Sequence, residues 1–260
     1  MVSAEKRLKI LFLGQCLQYG YEGLSRYDTF PHQAATILKA QFPALRFKFD
    51  FKFFHHPTGL KAILKHRLAV TKPDIALISL PAMFAATSWR VNMIYQIAPE
   101  IVDAARSFKR SVEARAKGAS AHFAAAGKLF DKAFTLQPPI GLDEYERLIE
   151  EALAYCDRTT SCRLVLMGPG RFNEDTNEDY AIHSPELWSS VNSMILRVGA
   201  RRNVPVVNAQ DALAEHGGEV FIANNHRFSQ LGHEVVGREV ANVLASQLAI
   251  LNLRGRDARA

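Results

Sequence analysis

Five short runs of apolar residues are spaced along the chain, each bounded by glycine, proline or charged residues. The runs are LKILFLG, RFKFDFKFF, DIALISL, RLVLMG and VPVVNA. Their length and composition are typical of β-strands, and the segments between them are long enough for helices. Alternation of strands and helices predicts a parallel sheet that is covered by helices on both faces.

The second run differs from the others. Phenylalanine occupies every second position from 47 to 53, between charged residues, which predicts a strand at the edge of the sheet with one buried and one polar face. The first run carries the consecutive apolar residues Ile10 to Leu13 and suits a strand that is covered on both faces. Together they predict an α/β fold, a three-layer α/β/α sandwich whose five-stranded parallel sheet has the flavodoxin-like order 2-1-3-4-5.

Apolar residues spaced three and four positions apart predict helices elsewhere. One begins near Phe30, one begins near Gly141, and one covers SQLGHEVVGREVANVLASQLAIL. Residues 98–134 are rich in Ala, Lys and Arg and predict a largely helical insertion. No repeat or linker interrupts the pattern, so we predict a single domain over residues 1–255 that contains this insertion.

The composition is that of an ordinary globular chain. Hydrophobic residues make up 48% of the 260 residues, and no apolar run approaches the roughly 20 residues that cross a bilayer, so no transmembrane segment is predicted. The net charge of +6 is concentrated in RSFKRSVEARAKG and in the tail LRGRDARA. No base-stacking or groove-reading element accompanies this charge, and we therefore predict no specific nucleic-acid partner.

The number of cysteines indicates the cellular compartment, and the cysteine spacing and the glycine-rich turn indicate whether a metal or another cofactor is bound. Cys16, Cys156 and Cys162 are an odd number of cysteines, which predicts a reducing compartment and hence a cytoplasmic protein. Their spacing does not supply the four ligands of a structural zinc site. The segment GPGRFNED after the fourth run lacks the Lys-Ser/Thr of a phosphate loop and is interpreted as an ordinary turn. The sequence therefore predicts neither a metal nor another cofactor.

Residues that could carry chemistry follow the first run directly. In GQCLQYG, Gly14 allows a sharp turn, and Gln15 and Cys16 then stand at the carboxyl end of a central strand. Ligands bind at this edge of open parallel sheets. Cys16 is therefore a candidate nucleophile, and the alternative is a small residue that fills a tight turn.

Two segments near opposite ends of the chain carry a family resemblance. GQCLQYG resembles the first block of the SGNH/GDSL hydrolases, Gly-Asp-Ser-Leu-x-x-Gly, and NNHRFSQLGHEVVGREVANVL is similar to their last block, an Asp-x-x-His followed by a Gly-His. The resemblance places Cys16 at the nucleophile position and Gln15 at that of the aspartate. In the last block it places Asn224 at the acid position and Arg227 at the base position, with His226 one residue early.

The middle blocks of the family are matched in part. Gly59 in HHPTGLKAIL occupies the place of the second-block glycine, but the third block, Gly-x-Asn-Asp, has no match after the third run. Arg90 and Asn92 lie just beyond that run, and an arginine there suits either a clamp for a carboxylate or phosphate or a structural ion pair. The backbone N–H groups of Cys16 and Gly59 would stabilise an oxyanion, with Gln15 or Asn92 as the replacement for the missing asparagine.

The resemblance implies an esterase, thioesterase or acyltransferase that acts on a small molecule through Cys16. A thiol is more acidic than a hydroxyl and depends less on a base, so partial loss of a triad is less damaging. His226 is the candidate base, which Asn224 or Asn225 would orient, and the alternative for His226 is a surface-loop residue. The alternative is a catalytically inactive protein of the same fold that binds a small polar ligand. The expected partner is a small-molecule acyl substrate, and the sequence is compatible with a homo-oligomer.

Overall fold

The predicted strands form one sheet. The computed structural model describes residues 7–14, 23–54, 59–86, 140–174, 185–223 and 227–257. The strands are β1 (Arg7–Gly14), β2 (Arg46–Phe53), β3 (Ile75–Ser79), β4 (Arg163–Met167) and β5 (Val206–Val207). They pair in parallel in the order β2-β1-β3-β4-β5, so the predicted order is confirmed.

Helices connect successive strands and cover the sheet. They are α1 (Phe30–Gln41), α2 (Leu60–Thr71), α3 (Met83–Ala86), α4 (Gly141–Thr159), α5 (Pro185–Arg202), α6 (Ala209–Ala214) and α7 (Gln230–Asp257). Two short 3-10 helices, Arg26–Asp28 and Gly218–Val220, precede α1 and α7.

Side-chain alternation along β1 divides the core between the two faces of the sheet. Leu11 and Leu13 pack on one face with residues of α2, α4 and α5. Ile10 and Phe12 pack on the opposite face with residues of α1, α6 and α7. Because successive side chains of a strand point to opposite faces, an uninterrupted apolar run requires a cover on both sides. The three-layer α/β/α sandwich predicted from the sequence is therefore confirmed.

The two outermost strands differ from the central ones in side-chain packing and in length. In β2, Phe47, Phe49 and Phe51 are half-buried and stack on one another, at ring-centroid distances of 5.5 and 6.4 Å. β5 is shorter than the predicted run because Pro205 has no N–H to donate, although its carbonyl accepts from the Leu166 N–H at 2.9 Å.

Two sequence predictions concern segments that the structure does not describe. The helical insertion over residues 98–134 is outside the described ranges, so it stays a prediction, as does the extent of the domain. Among the helices that are described, none has both the length and the apolar character needed to cross a membrane.

Candidate active site

The carboxyl ends of the strands lie level at one edge of the sheet. The Phe54 N–H donates to Gly14 O at 3.0 Å, the Leu80 N–H donates to Met167 O at 2.9 Å, and the Gly168 N–H donates to Val207 O at 3.3 Å. These bonds continue the ladder past the ends of the strands, so the loops that follow β1 to β4 all leave from this edge. Ligands bind at this edge in open α/β sheets.

The structure locates two of the predicted site residues. Gly59 is the N-cap of α2, and Arg227 is an exposed residue two positions before Ser229. β1 ends at Gly14, immediately before the predicted Gln15 and Cys16. The remaining predicted site residues belong to segments outside the described ranges, and their roles stay predictions: Gln15, Cys16, Arg90, Asn92, Asn224 and His226.

Gly59 offers a backbone amide at this edge. Its φ of −86° and ψ of −8° are right-handed helical values. A Cβ built on it would meet only Ile63 Cδ1, at 3.7 Å. Its N–H makes no hydrogen bond to any described residue, as is usual at the N-cap of a helix. Neither packing nor backbone conformation requires a glycine here, and the available N–H is the feature that suits an oxyanion.

Three aromatic side chains hold the segments that follow β2 and β3. Phe54 contacts Phe84 edge-on at 5.3 Å, and Phe84 contacts Tyr145 of α4 in the same way at 6.1 Å. The Tyr145 hydroxyl donates to the carbonyl of Pro81 at 3.2 Å. Burial raises the pKa of Tyr145 well above its ordinary value, so the phenol stays a neutral hydrogen-bond donor.

A hairpin precedes α7. Phe221 and Phe228 form an antiparallel bridge, the Ile222 N–H donates to Arg227 O at 2.9 Å, and the Ser229 N–H donates to Val220 O at 2.9 Å. The chain between Ile222 and Arg227 contains the predicted Asn224 and His226. Phe228 is 3% exposed, whereas Arg227, its neighbour, is exposed.

Gly232 fixes the distance between this hairpin and the start of α7. A Cβ on Gly232 would lie 2.1 Å from Val220 O and 3.0 Å from Phe228 Cβ. The Val220 carbonyl is already engaged with the Ser229 N–H, so it cannot move without breaking the hairpin. The first turn of α7 therefore lies against the hairpin backbone, and any side chain at position 232 would separate the two.

Replacing Gly232 with alanine is expected to lower the free energy of unfolding by about 2–4 kcal/mol, because the clash is with backbone rather than with a flexible side-chain end. Urea denaturation measures the change. Gly59→Ala is the matched control and should stay within about 1 kcal/mol of the wild type, since its Cβ meets only an ordinary contact. Equal losses in the two variants would contradict the close approach at Gly232.

His233 joins the starts of two helices. Its ring is fully buried, and Nδ1 accepts a hydrogen bond from the N–H of Phe30 at 3.0 Å. The imidazole also stacks on the Phe30 ring at 6.1 Å and contacts Phe228 edge-on at 5.4 Å. It therefore caps the first turn of α1 from α7, and links the segment that follows β1 to the segment that precedes α7.

The buried imidazole should make stability depend on pH. Burial lowers the pKa of His233 from 6.5 to about 3. Below pH 6.5 the unfolded chain takes up a proton here that the folded chain does not, so stability decreases as the pH falls from 6.5 towards 3. One such proton contributes a slope of about 1.4 kcal/mol per pH unit.

The measurement is the free energy of unfolding between pH 7.5 and 5 for the wild type and His233→Asn, whose side-chain oxygen can still accept from the Phe30 N–H. In the asparagine variant, the free energy of unfolding should depend less steeply on pH, by about 1.4 kcal/mol per pH unit. Burial and Arg26 also lower the pKa of His32, so part of the wild-type slope should remain. Gly59→Ala, which leaves every titratable group in place, is the control and should keep the full slope. An unchanged slope in His233→Asn would contradict this account.

The turn after β4 is largely buried and leaves the sheet at its ligand-binding edge. Gly168 to Gly170 are buried, Arg171 is half-buried, and Asn173 is 4% exposed. The sequence GPGRFNED predicts an ordinary turn rather than a phosphate loop, and its position directly after a buried strand places it at the ligand-binding edge.

The described residues contain no group of three or more His, Cys, Asp or Glu that could hold a metal ion. Two of the cysteines lie within them, and burial raises the pKa of Cys156 and that of Cys162 to about 12. Both are therefore neutral thiols at neutral pH and poor nucleophiles.

Comparison with known proteins identifies the fold through structure rather than sequence. No protein-family model matches the chain, and no curated protein is detectably similar in sequence. An acetylxylan esterase from Geobacillus stearothermophilus superposes with a TM-score of 0.57 and 15% identity, over 89% of this chain and 91% of that chain. A catalytic mutant of that esterase, with a histidine replaced by alanine, gives 0.58 and 15%, over 91% and 93%.

An α/β hydrolase from the metagenome of Lake Arreo in Spain gives a TM-score of 0.56 and 17% identity, over 91% of this chain and 96% of that chain. These similarities extend over almost the whole length of both chains in each pair. At such low identity they concern the fold alone. The chain has the five-stranded α/β fold that these hydrolases share.

Proposed function

We propose that this protein hydrolyses or transfers the acyl group of a small-molecule ester or thioester, with Cys16 as the nucleophile. The observation that carries the proposal is the meeting of two features at one sheet edge. β1 ends at Gly14, directly before Gln15 and Cys16. The loop after β2 presents the N–H of Gly59, which is not bonded to any described residue. A nucleophile and an oxyanion donor are the minimum that acyl transfer requires.

The reaction follows from these groups. His226 takes the proton of the Cys16 thiol, and the thiolate attacks the acyl carbon. A carbon–sulfur bond forms, and the carbonyl electron pair moves onto oxygen. The N–H groups of Gly59 and Cys16, with Gln15 or Asn92, stabilise this oxyanion. Collapse of the intermediate expels the alcohol or thiol, which takes a proton from His226. Water then attacks the acyl-cysteine to release the acid, or an acceptor alcohol attacks it in a transfer reaction.

The comparisons support this choice of chemistry. The catalytic mutants of the acetylxylan esterase replace a serine, an aspartate and a histidine, and the aspartate lies three residues before the histidine. In this chain Asn224 and Arg227 have the same spacing, and His226 stands between them. A cysteine nucleophile is compatible with an asparagine and an arginine at these two positions, because a thiol needs less help from an acid–base pair than a hydroxyl does.

A reducing compartment belongs to the same proposal. A thiolate mechanism requires Cys16 to stay reduced, which the cytoplasm provides. A small-molecule substrate is part of the proposal because open α/β sheets bind such ligands at this edge.

Selective alkylation tests the proposal. Low-dose iodoacetamide at pH 7.5 should label Cys16 before Cys156 and Cys162, because burial raises the pKa of the latter two thiols to about 12. Mass spectrometry of the peptides gives the order of labelling. The modified protein should no longer turn over 4-nitrophenyl acetate or an acetyl thioester. If Cys16 is the least reactive of the three thiols, the nucleophile assignment is wrong.

The alternative is an inactive protein of the same fold that binds a small polar ligand. The absence of a family-type aspartate and histidine at positions 224 and 227 favours it. Lack of turnover on both the ester and the thioester, in a folded protein with all three thiols reduced, would make this alternative the better account.

A further inference from the structure

We infer that Arg171, in the turn after β4, binds a carboxylate on the substrate, which would make an acyl compound with a free carboxylate the preferred substrate class. The inference rests on the proposed function for the identity of the reaction. The binding of the anion itself can be tested without any turnover.

Contacts on both sides of Arg171 hold the backbone of the turn in place. The Gly168 N–H donates to Val207 O at 3.3 Å. A Cβ on Gly170 would lie 2.5 Å from Cζ of Phe228, so the turn lies directly against this ring. The ring of Phe172 contacts Trp188 of α5 edge-on, with centroids 5.9 Å apart. The backbone at Arg171 therefore has a fixed position at the edge of the sheet where the site is predicted.

The guanidinium of Arg171 lacks a counterion within the described ranges. The residue as a whole is half-buried, yet its side chain makes no hydrogen bond or ion pair with a described residue, including Glu174 three positions later. Arg201 and Arg202 of α5 show the usual arrangement, since both pair with Glu150 of α4. Partial removal of an arginine from water costs free energy unless an anion compensates.

A carboxylate is the anion that fits best. A guanidinium is planar and permanently charged, and its two parallel N–H groups match the two oxygens of a carboxylate. The turn lacks the Lys-Ser/Thr that a phosphate loop uses. The net charge of +6 also favours the approach of an anionic substrate.

The turnover experiment compares two esters that differ in one group, 4-nitrophenyl acetate and the mono-4-nitrophenyl ester of succinic acid. The wild type should prefer the succinate ester by about 10- to 100-fold in kcat/KM, which is the range of a hydrogen-bonded charge pair. Arg171→Gln should lose this preference, and Arg171→Lys should keep part of it. Arg67→Gln removes another half-buried arginine, on α2, and should behave as the wild type.

The binding experiment measures succinate by isothermal titration calorimetry, with inorganic phosphate as the competing anion. Succinate should bind the wild type and Arg67→Gln with similar Kd and bind Arg171→Gln at least tenfold more weakly. Equal affinity in Arg171→Gln and the wild type, no binding by the wild type, or tighter binding of phosphate than of succinate would overturn the inference. Failure of turnover with Arg171-dependent succinate binding would overturn the proposed function and leave the inference standing.

Discussion

Replacing Cys16 with alanine is expected to reduce turnover of an activated ester or thioester by more than about 10³-fold. The alanine variant has no atom that can form the acyl-enzyme, and only the oxyanion donors and substrate binding remain. Initial rates on 4-nitrophenyl acetate and on an acetyl thioester measure the loss. Turnover at the wild-type level in Cys16→Ala would show that the thiol is a turn-filling residue.

Two further variants make the Cys16 result specific. Cys162→Ala removes a thiol just before β4, at the amino end of the strand and opposite to the candidate site, and should leave turnover unchanged. Cys16→Ser should retain little activity, because a hydroxyl needs a well-placed base that a thiol can partly do without. Activity of Cys16→Ser close to that of the wild type would indicate a complete triad.

The last block of the chain offers two candidates for the base. His226→Ala should lower both the rate of Cys16 alkylation and turnover, because a neighbouring imidazole favours the thiolate. Arg227→Ala should lower turnover less, since a guanidinium carries only hydrogen-bond donors and offers no acceptor for the proton of the thiol. A larger effect of Arg227→Ala on the alkylation rate would reverse this assignment.

Replacing Gly59 with proline is expected to lower kcat by about 10²- to 10³-fold, the usual effect of losing one oxyanion donor. Proline removes the N–H and is compatible with the φ of −86° at this position. No hydrogen bond to a described residue is lost with that N–H. The free energy of unfolding should therefore stay within about 1 kcal/mol of the wild-type value. Steady-state kinetics and urea denaturation give the two quantities.

Gly59→Ala separates the amide from the side chain. It keeps the N–H, and its Cβ would meet only Ile63 Cδ1 at 3.7 Å, so kcat should remain within about tenfold of the wild type. If the proline variant also keeps its kcat while remaining folded, the amide of Gly59 is not an oxyanion donor. If both variants lose turnover equally, position 59 acts through close approach of the substrate rather than through its N–H.

The sheet could be predicted from the sequence because it depends on local pattern. The run from Ile10 to Leu13 is apolar on both faces and had to be covered on both sides, which placed β1 inside the sheet. The alternating phenylalanines of β2 have one polar face, which placed that strand at an edge. Five such runs separated by helical segments leave few arrangements, since parallel strands need crossover connections of fixed hand.

The end of β1 at Gly14 was likewise predictable. A glycine that ends a buried strand stops the ladder, and the next residues stand at the ligand-binding edge wherever the strand lies in the sheet. Cys16 is predicted from this position and from its resemblance to a family block, whereas Gly59 is predicted from the resemblance alone. The roles of Asn224, His226 and Arg227 depend on whether the last block is aligned with the family pattern directly or with a shift of one residue. The sequence pattern alone does not decide between these two alignments.

The tertiary structure decided what depends on contacts between distant parts of the chain. His233 caps Phe30 across 203 positions, and no local pattern indicates which helix end a buried imidazole will reach. The turn that carries Arg171 packs against Phe228 through Gly170 and against Trp188 through Phe172, so two later segments set its position at the edge of the sheet. Local propensity determines which elements form, whereas burial and the partners of a charge are set only when the elements pack together.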